Sequence, residues 1–564
     1  MTIAAVRHLR RASQALFFAA FFWLILKTTF EADFRATGGG EIRLPYPVSI
    51  GLELDPLVGL ANLLANGTVY SGLLLGLVVL LPTIFFGRFF CGWVCPLGSL
   101  NHWLSEVRSE RAANRGARKI EANRYRGYQR IKYYLLLVFL GAALAGVLQI
   151  GLLDPIALLA RSLGTVVLPA LHVAAEGVRD AVAAVGFAPL TNAAQRVYDT
   201  LGPLVLPFRP QFFHALLTIG ALFVAILWLN RLFTRFWCRG ICPLGALLGL
   251  FSRLAVFGLE KNAASCDHCN KCLLHCQGAD NPDVGSAWRQ EECVLCLNCQ
   301  AACPHGSLRF RFFPRLEGTR DNPAPVRTPH LTRRKVLGSL AGGLALFPLF
   351  RAGDAFSANP NPLLIRPPGA PPEDDFLARC IRCGQCMRVC PNNALHPTLL
   401  ESGFEGLWTP VLIPRIGYCE PSCTLCGQVC PTGAIEELTL SEKVGDRATP
   451  GVHIGTAFVD RGRCLPWAMA IPCIVCEEWC PVSPKAIYLR EEIAYDRNGD
   501  AVNVKRPFVD PAICNGCGAC EFACPVADQA AIRVSSVGES RSRENRILLD
   551  RRPARREPSG PRAN

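Results

Sequence analysis

Cys380-Ile-Arg-Cys383-Gly-Gln-Cys386-Met-Arg-Val-Cys390-Pro391 is the stretch from which the rest of the chain is read. Three cysteines with two residues between neighbours, then a fourth after three more and followed by proline, place three thiolates on three corners of a cubane [4Fe–4S] cluster. The fourth thiolate reaches across to a second cluster. The same spacing recurs in Cys266, Cys269, Cys272 and Cys276, in Cys293, Cys296, Cys299 and Cys303, and in Cys514, Cys517, Cys520 and Cys524. Two further sets stretch only the first gap: Cys419, Cys423, Cys426 and Cys430, and Cys464, Cys473, Cys476 and Cys480. Six sets of four, with two Cys-x-x-x-Cys-Pro pairs, account for all 28 cysteines. Six sets predict six [4Fe–4S] clusters and an electron-carrying protein.

Competing uses of cysteine fit less well. A disulfide framework explains an even count but not one triple spacing repeated six times. Zinc ribbons use Cys-x2-Cys pairs at a distance, without the third cysteine of each triple. No Cys-x-x-Cys-His occurs, which excludes c-type haem. Five sets carry proline after the last ligand (Pro304, Pro391, Pro431, Pro481, Pro525), and the sixth has Gln277 there.

The 564 residues suffice for three or four domains. Half of them are hydrophobic, which is high for a soluble cluster protein and predicts membrane segments. The net charge of +14 is not a nucleic-acid signature, because the arginines flank apolar runs or lie in the C-terminal tail from Arg541 to Arg562. Basic loops beside apolar segments follow the positive-inside rule.

Four stretches, at 12–30, 69–90, 131–152 and 212–233, are long and apolar enough to be read as bilayer spans. Arg7, Arg10 and Arg11 precede the first, basic residues from Arg108 to Lys132 follow the second, and Arg231, Arg235 and Arg239 mark the end of the fourth. This distribution puts both ends of the four-span unit in the cytoplasm. The patchily apolar 163–190, interrupted by Glu176, Arg179 and Asp180, reads as an outer-face amphipathic helix, with a re-entrant piece as the alternative.

The expected fold is therefore an α-helical membrane bundle of four spans plus α+β ferredoxin-like cluster-binding domains. The expected organisation is a membrane domain over 1–255, a cytoplasmic two-cluster domain over 256–315 and a linker over 316–378. An exported four-cluster domain over 379–532 and a basic, disordered tail over 533–564 complete it. The localisation that follows is a multi-pass bacterial inner-membrane protein with its C-terminal domain in the periplasm.

Cys91-Gly-Trp-Val-Cys95-Pro-Leu-Gly ends the second expected span, and Cys238-Arg-Gly-Ile-Cys242-Pro-Leu-Gly ends the fourth. The repeat suggests duplication of a two-helix hairpin, and the i, i+4 spacing puts each pair on one helix face. Cys91, Cys95, Cys238 and Cys242 then meet near the cytoplasmic surface. A shared metal site, redox-active thiols near a quinone and structural packing are the three readings.

Within the linker, the Pro-rich 322–329 leads to Thr332-Arg333-Arg334-Lys335-Val336-Leu337-Gly338, an apolar stretch and Ala355-Phe-Ser-Ala358. Paired arginines, a moderate apolar run and small residues in that order make an internal twin-arginine signal, with a fifth span as the alternative. Export in the folded form suits a domain whose clusters are loaded in the cytoplasm. Ala394-Leu395, Ala434-Ile435 and Ala486-Ile487, each after the last ligand of a set, read as strands leaving the cluster sites.

On these motifs, residues 1–310 resemble the NapH-type membrane ferredoxins of periplasmic nitrate reductase systems. Residues 330–530 resemble the NapG/MauM-type exported ferredoxins, notably in Cys464-Leu-Pro-Trp-Ala and Pro-Cys473-Ile-Val-Cys476-Glu-Glu-Trp-Cys480-Pro. The resemblance implies a quinol dehydrogenase that draws electrons from membrane quinol. They would be passed to a periplasmic redox partner, a cytochrome or reductase. The other reading is an assembly or maintenance factor for a periplasmic metalloenzyme. No Gly-rich dinucleotide fingerprint or P-loop precedes the clusters, so neither NAD nor ATP is expected.

Overall fold

The computed structural model describes residues 3–29, 41–67, 71–109, 120, 126–205, 210–232, 234–262, 265–267, 269–277, 289–314, 331–355, 361–445, 450–542 and 545. The basic loop 110–119, the Pro-rich 322–329, the small-residue site 356–358 and the tail from 546 lie outside the described residues.

The N-terminal half is helical because its apolar runs are apolar on every side and so satisfy their backbone only within helices. The main elements are α1 (Ile3–Lys27), α2 (Pro56–Asn66), α3 (Ser71–Phe86), α4 (Phe89–Trp93), α5 (Pro96–Ser109) and α6 (Ile131–Leu144). They continue as α7 (Pro155–Ser162), α8 (Leu168–Ala184), α9 (Ala188–Val205), α10 (Leu216–Leu232), α11 (Phe236–Gly240) and α12 (Pro243–Phe251). Two of them start on the same device. Asp55 and Asp154 each precede a proline at the first helical position, where a missing N–H costs nothing. The Asp55 carboxylate accepts from the Leu57 and Val58 amides, and the Asp154 carboxylate accepts from those of Ile156 and Ala157.

The four-span expectation holds only in part. Ala5–Lys27 and Pro155–Ala184 are long and apolar enough to cross a membrane. The expected spans at 69–90, 131–152 and 212–233 form helices of 16, 14 and 17 residues, short of a full crossing. The apolar sequence continues beyond them, but the chain turns back. After α3, Gly87 (φ 77) reverses it into α4 and α5, and after α6 Gly146 (φ 83) does the same before α7. Residues 163–190 also differ from a surface helix. A short π segment at Leu163–Val167 joins α7 to α8, and Ile156 to Thr165 are buried in the helical core.

The two ferredoxin-type regions sit at opposite ends of this helical domain. Near the start of α1, Arg10 donates to Asn298 (3.5 Å). Beyond its other end, after 25 residues or about 37 Å of helix, Ile42 and Val48 pack with Cys423 and Val429. Phe86, at the end of α3, stacks edge-on against Phe257 and Phe312. At the start of α6, Lys132 and Tyr133 reach Glu292, and past its end Gln149 donates to the Glu405 carbonyl (3.1 Å). Trp408 donates to Thr218 near the start of α10, whose chain runs on through α12 into the first strand of the ferredoxin-type domain over 256–315.

That domain pairs β1 (Phe257–Lys261) with β2 (Leu308–Phe312), antiparallel, around its two cysteine sets. The C-terminal region contains three more two-stranded antiparallel sheets: β3 (Leu395–Pro397) with β4 (Pro410–Leu412), β5 (Thr456–Val459) with β8 (Ile532–Ser535), and β6 (Ile487–Tyr495) with β7 (Ala501–Val509). Strands leave the cluster sites at Leu395 and Ile487, whereas Ala434-Ile435 is buried without forming a strand. Residues 533–542, read as the start of the tail, belong to the fold. β8 pairs through Ser535, and Arg541 bonds to Glu373 and Glu539.

Candidate functional site

The fourth cysteine of each C-terminal set crosses to a neighbour. Cys380, Cys383 and Cys386 share one electrostatic neighbourhood with Cys430, and Cys423 and Cys426 share another with Cys419 and Cys390. Cys464, Cys473 and Cys476 group with Cys524, while Cys514, Cys517 and Cys520 group with Cys480. This is the three-plus-one exchange that the spacing predicts. A cavity lined by Cys380, Cys383, Cys386 and Cys430 marks the first group. In the ferredoxin-type domain over 256–315, Cys276 packs against Cys293, the start of the other set.

The thiols fit iron–sulfur clusters chemically as well as by spacing. Burial pushes the Cys383, Cys423 and Cys517 thiols up to about 12, so ionising them together calls for bound cations. Backbone amides are already aimed at sulfur. Ala394 donates to Cys390, Ile435 to Cys430 (both 3.3 Å), and Ala457 to Cys514 and Ala531 to Cys524 (both 3.4 Å). Such donors favour sulfur that carries negative charge.

The four groups also have an order. The Cys419 amide donates to the Cys517 carbonyl (2.8 Å), which joins the second and fourth groups directly. The chain of neighbours therefore runs Cys380 group, Cys419 group, Cys514 group, Cys464 group. Its first member faces the helical domain. Arg382 donates to the Leu148 carbonyl, Arg161 donates to the Arg382 carbonyl (2.8 Å), and a side chain at Gly151 would run into the Ile381 carbonyl. Arg161 lies over Trp408, 4.5 Å from its centroid.

The two Cys-x-x-x-Cys-Pro pairs do meet. Cys91, Cys95, Cys238 and Cys242 are all buried, and Cys95 and Cys242 each lie within electrostatic reach of thiols from the other pair. Arg88 and Arg235 stand three residues before Cys91 and Cys238. Arg235 reads as a membrane-interface charge in the sequence and Arg88 falls within an expected span, yet both are 1% exposed. Arg88 binds the Glu291 carbonyl (3.0 Å) and Glu292 (3.2 Å), and Arg235 crosses to the Cys91 carbonyl (3.1 Å). Trp93 and Trp237 are turned inward. Trp93 donates to the Leu295 carbonyl (3.1 Å), and Trp237 is buried.

Glu292 holds the ferredoxin-type domain over 256–315 against the helices. Its carboxylate accepts from Lys132 (2.5 Å), Arg88 (3.2 Å) and Tyr133 (3.1 Å). Burial would raise this carboxyl, but the two cations outweigh burial and hold it below the usual carboxylate range. The sequence reading missed Glu292 and the Asp55/Asp154 pair. The signal for the latter was present in Leu54-Asp55-Pro56-Leu57 and Leu153-Asp154-Pro155-Ile156, a second element of the duplication. It was hidden by α8 and α9, which lengthen the second copy.

Duplicated half-helices, buried thiols and exchanged ligand sets define an iron–sulfur electron-transfer protein of ferredoxin type, carrying several [4Fe–4S] clusters. Comparison with known families agrees. A 4Fe-4S binding domain matches twice, over residues 68–112 and 213–262. A 4Fe-4S dicluster domain matches 379–434, and another 4Fe-4S binding domain matches 507–527. The methylamine utilization ferredoxin-type protein MauM of Methylorubrum extorquens is 40% identical over 177 residues, 30% of this chain and 71% of that protein. The ferredoxin-type protein NapG of Escherichia coli is 35% identical over 210 residues, 36% of this chain and 86% of that protein. YccM of Escherichia coli, a putative electron transport protein, is 26% identical over 314 residues, 53% of this chain and 73% of that protein. No solved structure matches. The chain belongs to the NapG/MauM family of ferredoxin-type proteins.

Proposed function

We propose that this chain is a membrane-embedded quinol dehydrogenase of the NapH-plus-NapG kind, fused into one polypeptide, that delivers electrons to a periplasmic redox partner. The observation that carries the reading is the arrangement of the helical domain between two ferredoxin-type regions. Its outer surface supports a lipid environment: Leu16, Leu74, Val78, Leu81, Leu217 and Trp228 are all exposed. The short helices and inverted half-helices place irregular backbone inside the protein, where a bilayer tolerates it.

The 24 ferredoxin-spaced cysteines hold six [4Fe–4S] clusters, which accept and pass on single electrons when bound. Oxidation of one quinol to quinone releases two electrons and two protons. The electrons leave along the ordered thiol groups toward Cys464, Cys473, Cys476 and Cys524 and reduce a cytochrome or reductase. The helix α13 (Arg333–Ala355), which begins on the twin arginines, connects the two sides. It docks along α6 through reciprocal close approaches, Gly141 against the Leu340 carbonyl and Gly343 against the Val138 carbonyl. Small residues at such a crossing suit a helix pair in a membrane. This supports retention of α13 as a further span after export.

A reporter active only in the periplasm tests the topology. Fused after Asn564 it should be active, and Arg333→Lys with Arg334→Lys should silence it while the helical domain stays inserted. Undiminished activity in that variant would remove the twin-arginine route.

A further inference from the structure

We propose that Cys91, Cys95, Cys238 and Cys242 hold a seventh cluster, a four-cysteine [4Fe–4S] centre inside the helical domain, which links the two ferredoxin regions electronically. The proposal rests on the reading of the other 24 cysteines as cluster ligands, but on a separate set of observations.

Each of the four sulfurs accepts one hydrogen bond. Gly98 N–H donates to Cys95 Sγ (3.4 Å) and Gly245 N–H to Cys242 Sγ (3.2 Å), at equivalent places in the two copies. Asn101 Nδ2 donates to Cys238 Sγ (3.4 Å), and Arg88 Nη2 to Cys91 Sγ (3.9 Å). Thiols packed merely as small apolar groups need no such set of donors. Backbone amides also donate to Cys390, Cys430, Cys514 and Cys524, though from other offsets in the chain, whereas the Gly98 and Gly245 bonds lie three residues on, at the start of the helix that follows each pair.

Charge points the same way. Arg235 is buried, donates one N–H to the Cys91 carbonyl, and leaves Nε and Nη2 without a hydrogen-bond partner. A buried guanidinium with unmatched donors is costly, and an anionic cluster ligated by four thiolates supplies the missing countercharge. A single metal ion fits less well. Among the described residues no three His, Cys, Asp or Glu side chains converge closely enough to hold one ion. The ferredoxin sets share that property, as expected where sulfurs are spread around a cubane rather than around one ion.

Position gives the site its role. Cys91, Cys95 and Cys242 belong to one core that also contains Cys296 from the cytoplasmic-type domain and Cys383 from the exported one. A side chain at Gly92 would collide with the Val294 carbonyl, between Cys293 and Cys296. At the other end, Gly151 makes the equivalent close approach to Ile381, between Cys380 and Cys383. A centre between these loops turns two separate cluster groups into one line. An electron entering at Cys293/Cys296 then leaves at Cys380/Cys383 without passing through quinone.

The test uses full-length protein purified anaerobically in detergent, and Cys91→Ala with Cys238→Ala. The variant should lose about four iron and four sulfide per chain and one electron paramagnetic resonance signal, keeping about 24 of each. Loss of only about two iron and two sulfide overturns the [4Fe–4S] assignment, because that is the content of a binuclear centre. Unchanged iron, or zinc released in its place, overturns it; iron well below 24 in the wild type would instead overturn the six-cluster reading. Should the alanine variant fail to fold, Asn101→Asp keeps an acceptor for Asn230 but removes the donor to Cys238. It should lower the potential of one signal and leave the rest unmoved, and an unmoved spectrum counts against the site.

The linkage is read in quinone-free proteoliposomes. Dithionite, which does not cross the bilayer, is applied to the face carrying residues 256–315. It should reduce the exported clusters at least about tenfold faster in wild type than in the cysteine variant, and equal rates would refute the linkage.

Discussion

Replacing Glu292 by Gln should loosen the ferredoxin-type domain over 256–315 far more than replacing Lys132 by Met, although the two side chains are direct partners. Glu292 is 1% exposed in its side chain, and its cations Arg88 and Lys132 are 2% and 0% exposed. One buried anion serves two buried cations. Removing the anion leaves both cations unpaired, at a cost of about 3–5 kcal/mol. Removing Lys132 leaves a one-to-one Arg88–Glu292 pair with its Tyr133 hydrogen bond intact, so the cost should stay near 1 kcal/mol. At about 1.4 kcal/mol per tenfold, Glu292→Gln should raise local opening of the 289–296 loop by at least about 100-fold. Hydrogen exchange of the amides from Cys293 to Cys296, followed by mass spectrometry in detergent, reads that opening. Combining Lys132→Met with Glu292→Gln should recover part of the loss, because it removes one stranded cation. An effect of Glu292→Gln below tenfold, or equal to that of Lys132→Met, would refute the two-cation argument.

Two further outcomes follow from the C-terminal region and the helix that precedes it. Glu373 is held down to about 2 because Arg366 and Arg541 outweigh the cost of its burial. Its unfolded value is near 4.3, so the folded state gains stability above that pH and loses it as pH falls toward 2. With a side chain 28% exposed, solvent screening trims this to about 1–2 kcal/mol. Acid unfolding of the wild type should show that slope and Glu373→Gln should lack it; identical acid profiles would contradict the ion-pair reading. On α13, Gly343→Leu should break the close approach to the Val138 carbonyl and detach the helix from α6. A cysteine cross-link designed between the two helices should then form at least about tenfold more slowly than in the parent, and an unchanged rate would sink the docking.

The cluster domains were legible because ligand spacing is a local property. Cys380 to Cys390 encodes its own loop and short helix, and even the crossing of the fourth ligand follows from the three-residue gap. The helical domain was legible only in outline. Segments apolar on all sides carry no periodicity to say where a helix stops, so the reversals at Gly87 and Gly146 and the half-helices after them did not register. Arg235 was misread, and Arg88 passed over, for a related reason. Basic residues at the end of an apolar run signal an interface by default, and only the fold shows them turned toward the thiols and Glu292. The tail boundary erred because composition, basic and polar after Ser535, says nothing about the long-range pairing of Arg541 with Glu373.

Mixing anaerobic, oxidised, detergent-solubilised protein with a short-chain quinol and following the visible absorbance of the clusters tests the central claim most directly. Quinol should bleach clusters in both ferredoxin regions, and Cys383→Ala should confine the bleaching to the remainder of the chain before the Cys380 group. If quinol leaves every cluster oxidised while dithionite reduces them all, the protein is not a quinol dehydrogenase.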